Sequence, residues 1–184
     1  GEDKGYKGFI PGVYYLLEIN LGRDPYPEGK RVVVVGGGNV AIDCVRSSFR
    51  IGKPDVNLVY RRTKKEMPAD RVEIHDAEEE GVKFHYLCNP VRIIEKEGKV
   101  VGMECIRMEL GEPDESGRRR PVPVKGSEFF IEADIAIPAI GQAIDLSFLE
   151  EKDGVKTTRR STIAIQEGTF LTSRPGIFSA GDCV

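Results

Sequence analysis

The chain has 184 residues, a formal net charge of −3, and 40% hydrophobic and 31% charged content, the profile of an ordinary globular protein with room for one sizeable core. Its acidity argues against nucleic acid as a partner, which wants a basic face, and no apolar run approaches the roughly 20 residues of a membrane span. Four cysteines, Cys44, Cys88, Cys105 and Cys183, stand singly without C-x-x-C spacing, so they read as free thiols of a reducing, cytoplasmic protein.

Residues 1–30 read as a lead-in. Pro11 starts and Gly22 stops a helix in which Val13, Leu16, Leu17 and Leu21 recur at helical spacing. Arg31–Val35 is a continuous β-branched run, the mark of a strand buried on both faces of a parallel sheet. Three glycines follow, then a helix from Asn39 in which Ala41, Val45 and Phe49 stack, then a second strand over Val56–Tyr60. That order is a βαβ unit.

A further helix is predicted over Ala69–Glu80 and a third strand over Val82–Leu87. Val91–Glu95, Val100–Met108 and Phe129–Ile131 then read as an antiparallel meander, with Gly111–Glu128 as a long loop biased towards disorder. A fourth parallel strand follows at Asp134–Pro138, and Thr162–Ile165 and Gly176–Ser179 read as short strands in the tail. The expected fold is α/β: a Rossmann-like parallel sheet flanked by helices, an inserted antiparallel β-meander, and a separate C-terminal segment. The expected division is residues 1–30 as lead-in and crossover, 31–149 as the nucleotide-binding domain, and 150–184 as the C-terminal segment.

The chemistry-bearing motif is Gly36-Gly37-Gly38-Asn39-Val40-Ala41, which fits G-x-G-x-x-A between a buried strand and an amphipathic helix. Gly36 permits the tight turn, Gly38 lets backbone amides approach a pyrophosphate, and Ala41 lets helix and strand pack closely. The free N–H groups at the helix start then receive the phosphates. NAD-binding units place a carboxylate about 20 residues beyond the glycines, whereas here the second strand runs into Arg61 and Arg62. A guanidinium fork suits the 2′-phosphate of NADPH, so Arg61 and Arg62 are its expected ligands. A solvated basic loop is the alternative reading. Gly141 and Gln142, past the fourth parallel strand, are expected to line the nicotinamide end. His75 reads as part of an exposed helix face, His85 as a strand residue without a visible partner, and Arg118-Arg119-Arg120 as solvated loop. No acid, base, nucleophile or metal constellation emerges.

Taken in order, Gly36–Asp43, Tyr60-Arg61-Arg62, Glu66-Met67-Pro68-Ala69, Ala139-Ile140-Gly141-Gln142 and Gly176–Asp182 resemble the small (beta) subunit family of NADPH-dependent glutamate synthase, over nearly the whole chain from about residue 12. That family includes the flavin-containing regions of dihydropyrimidine dehydrogenase and ferredoxin-NADP-linked transhydrogenases. The resemblance implies an NADPH-binding domain set within an FAD-binding domain, with residues 150–184 belonging to the latter and Gly181 and Asp182 contacting FAD. It also implies electron flow from NADPH through FAD to iron–sulfur clusters, and a large catalytic subunit or ferredoxin-type acceptor as partner. One glycine fingerprint is present where the family carries two, and the family's N-terminal cysteine clusters are missing. The sequence therefore reads as an excised portion, expected to bind NADPH, to hold FAD weakly or not at all, and to be inactive alone. The remaining alternatives are a nucleotide-sensing module without redox chemistry, a methyltransferase-type glycine loop, disfavoured by Arg61, and a disulfide reductase, disfavoured by the missing C-x-x-C.

Overall fold

The computed structural model describes residues 4–113, 117, 119–141 and 144–184, and the chain divides into two units, Gly1–Gly141 and Gln142–Val184. The first unit begins with α1 (Gly12–Asn20), β1 (Arg31–Val35), α2 (Asn39–Arg50), β2 (Asp55–Tyr60), α3 (Arg71–Glu79) and β3 (Lys83–Tyr86). It continues with β4 (Cys88–Lys96), β5 (Lys99–Pro113), β6 (Arg119–Pro123), β7 (Phe129–Glu132) and β8 (Ile135–Pro138). Strands β3, β2, β1 and β8 lie in that order in one sheet, with every pairing parallel.

The β-branched run of β1 is continuous because both of its faces are covered. Val32 and Val34 join Val56, Leu58, Ile135 and Ile137 in a core closed by Tyr15 of α1, Ala41, Ile42 and Val45 of α2, and Ile74 and Ala77 of α3. Val33, Val59 and Ala136 point the other way, into a second core with Cys88, Val100, Met103, Cys105 and Ile131 of the antiparallel strands. A fully buried Val, Leu or Ile side chain contributes roughly 1.5–3 kcal/mol before ordering costs, so alternating polar residues would be costly on either face.

The lead-in is stitched into this unit. The Ile10 amide donates to the Ala136 carbonyl at 3.0 Å, and the Ala136 amide to that of Gly8 at 2.8 Å. Buried Lys53 lies 2.7 Å from the Asp24 carboxylate and donates to the Tyr26 carbonyl. The Tyr15 hydroxyl shares a 3.0 Å hydrogen bond with Ser48, which ties α1 to α2.

Several elements differ from the sequence expectation. The segment expected to be a loop over 111–128 carries the end of β5 and all of β6, paired antiparallel through Leu110–Pro121 and Glu109–Val122. Strand β6 is an exposed ribbon containing two prolines, so it shows no apolar alternation to read. Helix α3 begins at Arg71, not Ala69, because Asp70 caps it, accepting the Val72 amide at 2.8 Å. His85 does have a partner: its Nε2 lies 2.9 Å from Oδ1 of Asn57 on the adjacent strand.

In the second unit, β9 (Ile165–Gln166) pairs antiparallel with β10 (Leu171–Thr172). Gly176–Ser179, expected as a strand, forms an isolated bridge from Phe178 to Leu171, with the Thr172 amide donating to the Ile177 carbonyl at 2.8 Å and the Ser179 amide to that of Phe170 at 2.9 Å. Single helical turns lie at Glu151–Asp153 and Gly181–Cys183.

Candidate dinucleotide-binding site

The glycine turn sits at the carboxyl ends of β1, β2 and β8. The Gly36 amide donates to the Val59 carbonyl at 3.1 Å, and the Ala139 amide to the Val35 carbonyl at 2.8 Å. Gly36 has φ +150°, and a Cβ there would lie 2.3 Å from the Ala139 carbonyl oxygen. A Cβ on Gly37 would lie 2.5 Å from the ring of Tyr60. Those two glycines are thus demanded by the chain's own packing. Gly38 is not: the space its Cβ would fill is empty, and its φ of −91° suits any residue. What its lack of a side chain leaves open is the approach to the first turn of α2.

That turn has donors to offer an anion. The amides of Asn39 and Val40 have no acceptor within the helix, whereas that of Ala41 donates to the Gly38 carbonyl at 3.0 Å, and among the described residues no side chain caps the turn, in contrast to α3 with Asp70. The helix dipole adds a partial positive charge there. Asn39 and Val40 occupy the first two helical positions, and Ala41 is fully buried beneath them, packed in the helix-side core.

The two arginines after β2 part company. Arg61 is exposed and, among the described residues, has no carboxylate partner. Arg62 is only 4% exposed, and its Nε donates to the Arg119 carbonyl at 2.8 Å while its own carbonyl accepts the Leu87 amide. Its side chain therefore runs toward β6, a placement that no local sequence pattern foreshadows. Gly141, with φ +117° and open space at its Cβ position, follows β8 at the same end of the sheet; Gln142 lies outside the described residues, as does Arg118. Gly181 and Asp182 belong to the second unit, in its exposed last turn.

The segment from Thr63 to Asp70, whose residues 66–69 entered the sequence reading through the family resemblance, also packs against the glycine turn. The Ala69 amide donates to the Gly37 carbonyl at 3.1 Å, the Asp70 amide to Oδ1 of Asn39 at 3.0 Å, and the Tyr60 hydroxyl to the Glu66 carbonyl at 2.8 Å. Thr63 and Glu66 cap the turn reciprocally, and the Thr63 hydroxyl bond holds the Glu66 carboxyl below its usual range. The Thr63-x-x-Glu66 spacing is a capping-box signature and was the available signal.

The buried thiols of the first unit are not activated. Burial pushes the Cys44 and Cys105 thiols up to about 12 and raises Cys88, so all three stay protonated. Among the described residues there is no metal-ligand cluster and no helix long and apolar enough to cross a membrane.

The sequence profile of the pyridine nucleotide-disulphide oxidoreductase family matches residues 12–184. The NADP(+)-dependent formate dehydrogenase subunit beta of Moorella thermoacetica is 56% identical over 184 residues, all of this chain and 26% of that protein. The glutamate synthase [NADPH] small chain of Escherichia coli K12 is 44% identical over 162 residues, 85% of this chain and 34% of that protein. The chain thus spans between a quarter and about a third of these curated relatives. A thioredoxin reductase from T. acidophilum superposes with a TM-score of 0.75 over all of this chain and 52% of that one, at 22% identity, a likeness of fold alone.

Proposed function

The chain belongs to the pyridine nucleotide-disulphide oxidoreductase family, and from that premise we propose that it is the NADPH-holding part of a flavin-dependent oxidoreductase. The observation that carries the reading is the pairing of an uncapped α2 end, opened by Gly38, with an exposed Arg61 at the end of β2. Within the turn Gly36–Ala41 the amides at the start of α2 hold the pyrophosphate, Arg61 holds the 2′-phosphate, and Gly141 and Gln142 line the nicotinamide end. Arg62, expected from sequence as a second phosphate ligand, is buried with its Nε donating to the Arg119 carbonyl, so the proposal rests on Arg61. When bound, NADPH supplies a hydride for transfer to FAD. The protein's part is to bind, orient and exclude water.

Residues 150–184, with Gly181 and Asp182, belong to the FAD-binding domain of the full-length protein, which passes electrons on to iron–sulfur clusters and a partner subunit. By motif order the partner is a glutamate-synthase-type large subunit. A second reading, a formate-dehydrogenase-type complex, is favoured by the 56% identity over the whole chain. Formate-dependent reduction of NADP+ by the purified complex supports the second reading, and glutamate formation at the expense of NADPH supports the first.

The test of the coenzyme assignment is Arg61→Ala in the full-length protein. Loss of charge-assisted phosphate bonds at about 1.5–3 kcal/mol each weakens NADPH at least tenfold while NADH binding barely changes. Equal losses for both nucleotides remove the assignment.

A further inference from the structure

The glycine turn and Arg61 are joined by one continuous segment, Thr63–Asp70, which is fastened at both ends. Near Arg61, Thr63 and Glu66 cap one another, and the Arg71 guanidinium donates to the carbonyls of Lys64 and Lys65, each at 2.6 Å. At the turn, Gly37 receives the Ala69 amide and Asn39 the Asp70 amide, and the Tyr60 ring lies against Gly37 while its hydroxyl reaches Glu66. Met67 and Ala69 are buried between these ends. The segment is a strap, tied at both ends and seated on buried Met67 and Ala69.

Asn39 therefore does two separable things. Its backbone belongs to the first turn of α2, and its side-chain oxygen holds the strap. We infer that the Asn39 side chain is a positioning group for coenzyme selection, acting through the strap on Arg61, while contact with the nucleotide is left to the Asn39 backbone. The inference rests on the NADPH reading above and deepens it. A guanidinium meets a phosphate in a two-bond geometry that tolerates displacements of only about 0.5 Å, so the base of Arg61 has to be held still. The pyrophosphate, by contrast, is received by helix amides that keep their place whether or not the strap is tied. Loosening the strap thus weakens the coenzyme bearing a 2′-phosphate and spares the one lacking it.

The experiment measures NADPH and NADH dissociation constants for the full-length protein, with unfolding midpoints, in four forms: wild type, Arg61→Ala, Asn39→Ala and Asn39→Asp. The wild type prefers NADPH, and Arg61→Ala removes the preference. Asn39→Ala lowers it by roughly 3- to 10-fold, the effect of one lost hydrogen bond, almost wholly by weakening NADPH. Asn39→Asp keeps an acceptor for the Asp70 amide, so the preference survives, while its charge weakens both nucleotides together. Adding Asn39→Ala to Arg61→Ala changes the preference no further. Equal weakening of NADPH and NADH by Asn39→Ala, or loss of the preference in Asn39→Asp, overturns the inference and leaves the coenzyme assignment standing. A wild type without preference, or an Arg61→Ala variant that keeps it, brings down the assignment itself.

Discussion

Among the described residues, every fully buried apolar side chain lies between Tyr15 and Ile137, inside the first unit, whereas in the second unit Thr172 alone is buried. Phe148, Phe170 and Phe178 of the second unit are 69%, 52% and 65% exposed. Its order rests on polar contacts: the Lys156 amide on the Ser173 hydroxyl at 2.7 Å, that hydroxyl on the Gly154 carbonyl at 2.8 Å, the Thr158–Thr162 pair, and Arg174 near Asp153. Such bonds net about 1 kcal/mol apiece in water, against about 1–2 kcal/mol per residue to order a backbone. The first unit specifies its own interior; the second holds a shape with little interior of its own.

The sharpest way to break this comparison is to truncate one apolar side chain in each unit. Leu58→Ala, in the helix-side core, costs about 2–5 kcal/mol of unfolding free energy, while Phe178→Ala stays within about 0.5 kcal/mol in denaturant titrations of the chain. Equal costs would mean the second unit has a core after all. A smaller contrast lies inside the first unit. Arg62→Ala, which leaves the Arg119 carbonyl without its donor, costs about 1–3 kcal/mol; exposed Arg61→Ala leaves stability within about 0.5 kcal/mol. Thiol labelling sharpens the same point without substitution. Cys183, partly exposed, reacts in the native chain, and Cys44, Cys88 and Cys105 react only once the first unit opens. Prompt labelling of all four would contradict the burial described.

The same division governs what the sequence made legible. The parallel sheet could be read because burial on both faces forces unbroken runs such as Val32–Val35, and the glycine turn because backbone geometry admits little else at Gly36. Strand β6 could not, since an exposed ribbon with prolines imposes no pattern on its side chains. Nor could the divergence of Arg61 and Arg62: adjacent identical residues differ only in what the distant hairpin carrying Arg119 offers one of them. In the tail, the two-residue strands of the β9–β10 pair are too short to carry any periodicity.

The smallest expected effect is one of pH, and it also belongs to one unit. Both histidines of the chain, His75 and His85, lie in the first unit. His85 is half-buried beside Asn57, and desolvation, reinforced by the positive charges of Arg107 and Lys83 and opposed by Asp55, lowers its pKa from the ordinary 6.5. A lowered value means the unfolded chain binds the proton more readily. The stabilisation is therefore complete above pH 6.5 and is lost as pH falls through the lower folded value. Unfolding midpoints of the first unit should fall on acidification below pH 6.5, and His85→Gln should flatten that part of the profile. Over the same range Cys183 accessibility should not follow the midpoint, since the second unit contains no histidine to drive it. A Cys183 labelling rate that tracks the His85 titration would show the two units coupled, and the contrast drawn between them would have to be given up.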